Sequence, residues 1–109
     1  MYLLVIYIPE ENIEKVKSAV FSASGGEMGN YSHCSWQVRG QGQFKPGIGS
    51  SPFLGDVSKL EKTSEYRLEL VCKDANIKNV VKAMIEAHPY ETPAYHIVKV
   101  LTLDKLSEG

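Results

Sequence analysis

The sequence predicts an α+β fold, namely a ferredoxin-like βαββαβ sandwich with an antiparallel sheet and two helices on one face. Two observations carry this prediction. Four segments have the apolar character of strands and two have apolar residues at helical spacing, in the order strand, helix, strand, strand, helix, strand. The chain of 109 residues is 43% hydrophobic and 23% charged, which is usual for one globular domain.

The first strand and the first helix have clear limits in the sequence. Tyr2–Ile8 is apolar on both alternating faces, which is typical of a strand that is buried on both sides. The acidic pair Glu10 and Glu11 suits the first turn of a helix. We expect this helix to end near Ser24, because two glycines follow that residue.

The middle of the chain holds a predicted hairpin. Tyr31–Val38 alternates in polarity, and we expect Cys34, Trp36 and Val38 to face the core. Gly40–Gly55 contains five glycines and two prolines. We interpret this segment as a long loop or as the tip of an extended hairpin.

The second half of the chain repeats the pattern of the first. Tyr66–Cys72 is the third predicted strand, and it starts earlier, near Leu60. Asp74 is the expected N-cap of the second helix. This helix ends before Pro89, because a residue that precedes proline avoids the helical conformation. Tyr95–Leu103 is the last predicted strand.

We expect one domain over residues 1–104 and a frayed polar tail over residues 105–109. The formal net charge of -1 provides no electrostatic footprint for a nucleic acid or an anionic membrane, and we expect neither as a partner. No apolar run suits a membrane span or a signal peptide, which favours the cytoplasm. We therefore expect Cys34 and Cys72 to be reduced thiols, and to face each other across the hairpin.

The predicted sandwich leaves one face of the sheet without helices. On that face the first strand carries Leu3, Val5 and Tyr7, and the last strand is apolar on both faces. A monomer rarely exposes an apolar patch of this kind. We therefore predict that the protein is a homo-oligomer.

The glycine-rich segment Gly40–Gly55 is a candidate ligand loop, with a simple hairpin tip as the alternative. The phosphate-loop pattern GxxxxGK[ST] is absent from it. Lys45 stands where a dinucleotide-binding fingerprint requires its third glycine. The hairpin tip is therefore the preferred interpretation.

His33, His88 and Glu91 have the ligand types of a borderline divalent metal ion. Their spacing matches no zinc signature, and helix capping and packing are the alternative roles. Cys34 is expected to be an inert core thiol rather than a nucleophile. Carboxylates such as Glu65 fit solvated faces, so we predict no catalytic residue.

Three strings together are distinctive, namely GNYSHCSW at 29–36, GQGQFKPGIGSSPFLG at 40–55 and AHPYETPAY at 87–95. On these strings the chain resembles the PII/CutA-like domain that is inserted in YqfO-type, Nif-three-like proteins, also called homologues of GTP cyclohydrolase type two. The resemblance covers nearly the whole chain. It implies the PII/CutA-like form of the predicted fold, commonly trimeric, with ligand or metal sites near subunit clefts. The family string usually has a second glutamate where Thr92 stands.

The resemblance also bears on catalysis. In the longer family members a two-metal site belongs to the domains that flank the insert. This chain begins with the first strand of the insert and ends soon after its last strand. We therefore expect the flanking domains and their hydrolase-like activity to be absent, and the chain not to be an enzyme.

We expect a stand-alone regulatory or small-ligand-binding module that forms a homo-oligomer, a trimer in the first instance and a dimer as the alternative. Two further hypotheses are a CutA-like protein that binds a divalent metal ion and a small enzyme with an intersubunit active site. The predicted site lies where the HPYE turn, His88–Glu91, and the strand that carries His33 converge, with the glycine-rich loop as its rim. The predicted binding residues are Tyr31, His33, Phe44, Pro46, His88, Tyr90 and Glu91.

Overall fold

The structure, a computed structural model, describes residues 1–106. Its helices and strands, in chain order, are β1 (Tyr2–Pro9), α1 (Ile13–Ser22), β2 (Trp36–Phe44), β3 (Glu61–Cys72), α2 (Ile77–Ala87) and β4 (Tyr95–Lys99). Short 3₁₀ turns precede α1 and follow β4, the latter at Leu103–Lys105. Residues 107–109, the end of the predicted polar tail, lie outside the described residues. Among residues 1–106, no helix is both long and apolar enough to traverse a bilayer.

The four strands form one antiparallel sheet in the order β2-β3-β1-β4. Both helices pack on the same face of this sheet, where even-numbered residues of β1 meet the apolar stripes of α1 and α2. The centre of this core consists of Leu4, Ile6, Ile8, Val16, Val20, Leu68, Leu70, Val80 and Met84. The predicted α+β sandwich with two helices on one face is confirmed.

The hairpin register differs by one residue from the predicted one. Trp36 pairs with Glu69, whereas a register that sets the two cysteines opposite each other would pair Trp36 with residue 70. A shift of one residue moves every side chain of a strand to the other face. Trp36 and Val38 therefore lie on the face without helices, where they are 59% and 43% exposed, and not in the core. Cys34 is half-buried and precedes β2, and it and Cys72 are free thiols.

Several limits of elements also differ from the predictions. β2 continues through the first part of the glycine-rich segment to Phe44, because β3 pairs with it along its whole length. β4 ends at Lys99, short of its predicted end, because Lys99 already pairs with Tyr2, the first residue of β1. The N-cap of α2 is Asn76 rather than Asp74, whose carboxylate instead contacts the N-terminal ammonium group.

Gly26, in the connection between α1 and β2, should be intolerant of a side chain. Its φ is +76°, and a Cβ there would lie 2.6 Å from the carbonyl oxygen of Cys34. We expect Gly26→Ala to lower the free energy of unfolding by about 3 kcal/mol, through left-handed strain and overlap with backbone. Gly29 has a φ of +55° but open space around it, so Gly29→Ala should cost only about 1 kcal/mol. Urea unfolding of the two variants measures the difference, and equal losses would contradict the overlap.

Candidate functional site

His88 fixes the turn that follows α2. Its side chain is buried, with 6% of its surface exposed. Its Nε2 lies 2.7 Å from the carbonyl oxygen of Tyr7, and its Nδ1 lies 3.1 Å from the backbone nitrogen of Tyr90. A carbonyl oxygen only accepts and a backbone N–H only donates, so the ring is neutral and carries its proton on Nε2. The side chain thus ties the end of α2 to β1.

The protonation state of His88 is set by its surroundings. Burial lowers the pKa of His88 below its ordinary value, and the hydrogen bond to Tyr7 opposes this effect only in part. A second proton would occupy Nδ1 and break the bond from the N–H of Tyr90. The observed turn therefore requires the neutral imidazole.

Tyr90 extends from this turn to the sheet. Its hydroxyl donates a hydrogen bond to Oε2 of Glu65 at 3.1 Å. Burial, followed by the negative charge of Glu65, raises the pKa of Tyr90 to about 12, so the phenol stays protonated at neutral pH. Its ring centroid lies 5.6 Å from that of Phe44 and 6.3 Å from that of Phe53. These three rings form an aromatic wall.

The sequence predicts a solvated face for Glu65, whereas the structure places this residue in the site. It is half-buried on the sheet face without helices. Its carboxylate lies over Gly42 of the neighbouring strand, where a Cβ would overlap the carboxylate oxygens. Glycine at this position leaves the space in which Glu65 reaches Tyr90. Only the register of β2 against β3 reveals this contact, so no local pattern could have identified Glu65.

Glu91 connects the turn to the loop between β2 and β3. Its Oε2 accepts a hydrogen bond from the backbone N–H of Ser51 at 2.8 Å. Ser51 lies in the glycine- and proline-rich part of that loop, which therefore lies against the HPYE turn as a rim.

The turn, the loop and the ends of β2 and β3 enclose a cavity of about 360 Å³. Four of the predicted binding residues line it, namely Phe44, Pro46, Tyr90 and Glu91. His88 is not among its lining residues, and contacts it through Tyr90. The lining residues absent from the prediction are Gln43, Lys45, Ser50, Pro52, Phe53, Leu54, Glu65, Thr92 and Ala94.

His33 and Tyr31 do not reach this cavity within one chain. The predicted strand over residues 31–38 begins only at Trp36, and the residues before it turn towards α1. His33 has a φ of +60°, and its ring centroid lies 4.9 Å from that of Phe21 on α1. Tyr31 is 76% exposed in a tight turn. The predicted convergence of His33 with the HPYE turn is therefore wrong for a single chain.

The predicted metal ligands are likewise not brought together. In the part of the chain that the structure describes, no three histidine, cysteine, aspartate or glutamate side chains lie where they could share a metal ion. His33 packs on α1, and both ring nitrogens of His88 already have hydrogen-bond partners. Within the described residues, His33, His88 and Glu91 therefore do not come together as one set of metal ligands.

Comparison with family models gives no match. Among curated proteins, a relative from Mycobacterium tuberculosis is 50% identical over 93 residues, and one from Bacillus subtilis is 45% identical over 97 residues. Both are named GTP cyclohydrolase 1 type 2 homolog. The matches cover 85% and 89% of this chain but only 24% and 26% of the relatives. The chain therefore corresponds to one domain of these proteins, and spans about a quarter of their length.

Among solved structures, the chain is similar to a NIF3-related protein and to two CutA proteins. A Bacillus cereus protein related to NIF3 superimposes with a TM-score of 0.76 at 35% identity, over 89% of this chain and 24% of that one. The periplasmic divalent cation tolerance protein CutA from Archaeoglobus fulgidus gives a TM-score of 0.64 at 14% identity, over 92% of this chain and 84% of that one. The PII-like protein CutA from Nostoc sp. PCC 7120 gives a TM-score of 0.68 at 16% identity, over 97% of this chain and 86% of that one. The resemblance to the PII/CutA-like domain of Nif-three-like proteins is confirmed, and the likeness to CutA shows the fold.

Proposed function

We propose, from its homology to one domain of the proteins named GTP cyclohydrolase 1 type 2 homolog, that this chain is a regulatory or small-ligand-binding module. One observation carries the proposal. The HPYE turn and the loop between β2 and β3 form a cavity of about 360 Å³, which falls in the size range of small-molecule sites. Aromatic rings line it together with a few polar groups, as is usual in such sites.

The chemistry of the cavity supports binding rather than catalysis. Among the described residues that line it, none is a histidine or a cysteine. Tyr90, with its raised pKa, is held protonated and donates to Glu65. Because this hydrogen bond fixes the wall of the cavity, we assign the pair Tyr90 and Glu65 a role in binding. The activity in the relatives' name concerns proteins that are about four times as long as this match.

We also propose that the module acts as a homo-oligomer, a trimer in the first instance and a dimer as the alternative. The sheet face without helices supports this, because it carries apolar and aromatic side chains on three of its strands. These are Leu3 and Tyr7 on β1, Val98 on β4, and Trp36 and Val38 on β2, which Glu69 and Arg67 of β3 separate from β1. A standard interface needs about 800 Å² from each partner, which is an area that a face of this kind can supply.

A ligand screen tests the binding function. We expect a small metabolite from a screen that also includes nucleotides to raise the melting temperature, because a ligand at 100 times its Kd stabilises a protein by about 2.7 kcal/mol. Phe44→Ala should weaken that ligand about tenfold by removing one side of the aromatic wall. Ile48→Ala is the control, because Ile48 lies in the same loop, is 95% exposed and does not line the cavity. A panel without any hit, or a hit with equal affinity for both variants, would contradict the proposal.

A further inference from the structure

We infer that the cavity takes an organic cation, namely an ammonium group carried on an apolar or planar body. This inference rests on the proposed function, because it names the ligand class of the same cavity. Three features support it, and they are the aromatic wall, two carboxylates, and the balance of charge around the cavity.

The aromatic wall supplies the first part of the argument. The rings of Phe44 and Phe53 each pack against the ring of Tyr90, and all three residues line the cavity. Aromatic faces carry a negative quadrupole, so a ring-lined cavity attracts a cation and also packs well against an apolar or planar body.

The two carboxylates supply the second part. Glu65 uses Oε2 to accept the hydroxyl of Tyr90, and Glu91 uses Oε2 to accept the N–H of Ser51. These two bonds hold each carboxylate in place, and neither of them uses the Oε1 atom. An ionised carboxylate only accepts hydrogen bonds, so the group that suits these oxygens is a donor, and an ammonium group offers several.

The balance of charge supplies the third part. The charged residues that line the cavity are Glu65, Glu91 and Lys45, and no arginine is found among the described lining residues. Lys45 and Glu91 are exposed, whereas Glu65 is half-buried and its charge is therefore less screened by solvent. A phosphate or carboxylate group in the cavity would meet two like charges. The same geometry that favours a cation therefore disfavours an anion.

A matched pair of probes tests the inference. Phenethylamine and 3-phenylpropionate share a phenyl ring on a short chain and differ in the sign of their charge. Each is titrated into the ¹⁵N-labelled full chain at neutral pH. We expect phenethylamine to shift the amide resonances of the non-proline residues at the cavity, namely 43–45, 50, 51, 53, 54, 90–92 and 94. We expect 3-phenylpropionate to leave these resonances unchanged.

Carboxylate variants test the role assigned to the two glutamates. Glu65→Gln and Glu91→Gln should each weaken phenethylamine binding about tenfold, because each removes one charge-assisted hydrogen bond. Glu86→Gln is the control, because it makes the same change in charge at an exposed position of α2. Binding that is equally strong in all three variants would overturn the inference.

The outcomes also separate this inference from the proposed function. If 3-phenylpropionate or ATP bound in the cavity and phenethylamine did not, the cation inference would fall and the binding function would stand. If neither the probes nor any compound of the screen shifted these resonances, both would fall.

Discussion

We expect His88→Ala to lower the free energy of unfolding by about 3 kcal/mol, because it removes two hydrogen bonds from a buried site. The carbonyl oxygen of Tyr7 and the N–H of Tyr90 would both lose their partner. His88 also holds Tyr90 in the aromatic wall, so the same variant should weaken any ligand of the cavity. Both effects originate in the junction of α2 with β1 and not in direct contact with the ligand.

The contribution of His88 should also depend on pH. Its pKa in the folded protein is lowered, so between the folded and the unfolded pKa the unfolded chain binds more protons. The stability that His88 contributes is therefore complete above the unfolded value, near 6.5. This stability is lost progressively as the pH falls below the unfolded pKa and through the lower pKa of His88 in the folded protein. Acidification from pH 7 should accordingly destabilise the wild-type protein.

Urea unfolding of the wild-type protein and of two variants at a series of pH values between 7 and 5 checks this prediction. His88→Ala should be less stable at pH 7 and should lose less on acidification. His33→Asn is the control, because His33 is exposed and asparagine tolerates its left-handed backbone. If both variants were as stable as the wild type at pH 7, His88 would not have the structural role described above.

We expect Trp36→Asp to dissociate the proposed homo-oligomer, with a loss of subunit affinity of at least about 100-fold. Trp36 is 59% exposed within one chain and stands in one row with Glu69, Val5 and His96 on the sheet face without helices. Trp36 lies on the edge strand β2, and tryptophan is enriched among the residues that contribute most of the binding energy of an interface. In the proposed interface the new carboxylate would also be removed from water, which costs free energy for a charge without a partner.

Light scattering at micromolar concentration measures this effect. The wild-type protein should have a mass that is a multiple of 12.1 kDa, and Trp36→Asp should approach 12.1 kDa. Ile85→Asp is the control, because Ile85 is 45% exposed on α2, on the opposite side of the sheet, and should leave the mass unchanged. A wild-type mass of 12.1 kDa would refute the oligomer, and an unchanged mass for Trp36→Asp would refute this face as its interface.

Local chemistry made several elements predictable. β1 was recognisable because its apolar residues occupy both alternating positions, and the end of α2 because Pro89 excludes the helical conformation at His88. The start of β3 at Glu61 also lies close to the predicted Leu60. These features depend on residues that are neighbours in the chain, so sequence patterns are sufficient to identify them.

The register of β2 was not predictable in this way. Residues 36–44 contain two glycines and several polar side chains, so neither face of the strand is marked as apolar. The choice between two registers depends on the whole pairing from Trp36 with Glu69 to Phe44 with Glu61. A difference of one residue reversed the faces, and it placed Trp36 outside the core rather than within it.

The sequence by itself therefore determined the fold class, the order of the elements and the chemical character of the HPYE turn. The tertiary structure decided which residues meet that turn, since Phe44 comes from β2, Glu65 from β3 and Ser51 from the loop between them. It also turned His33 away towards α1. The physical reason is that helical and strand periodicity act over a few residues, whereas a contact across strands depends on register and loop closure, which pairing over the whole sheet decides.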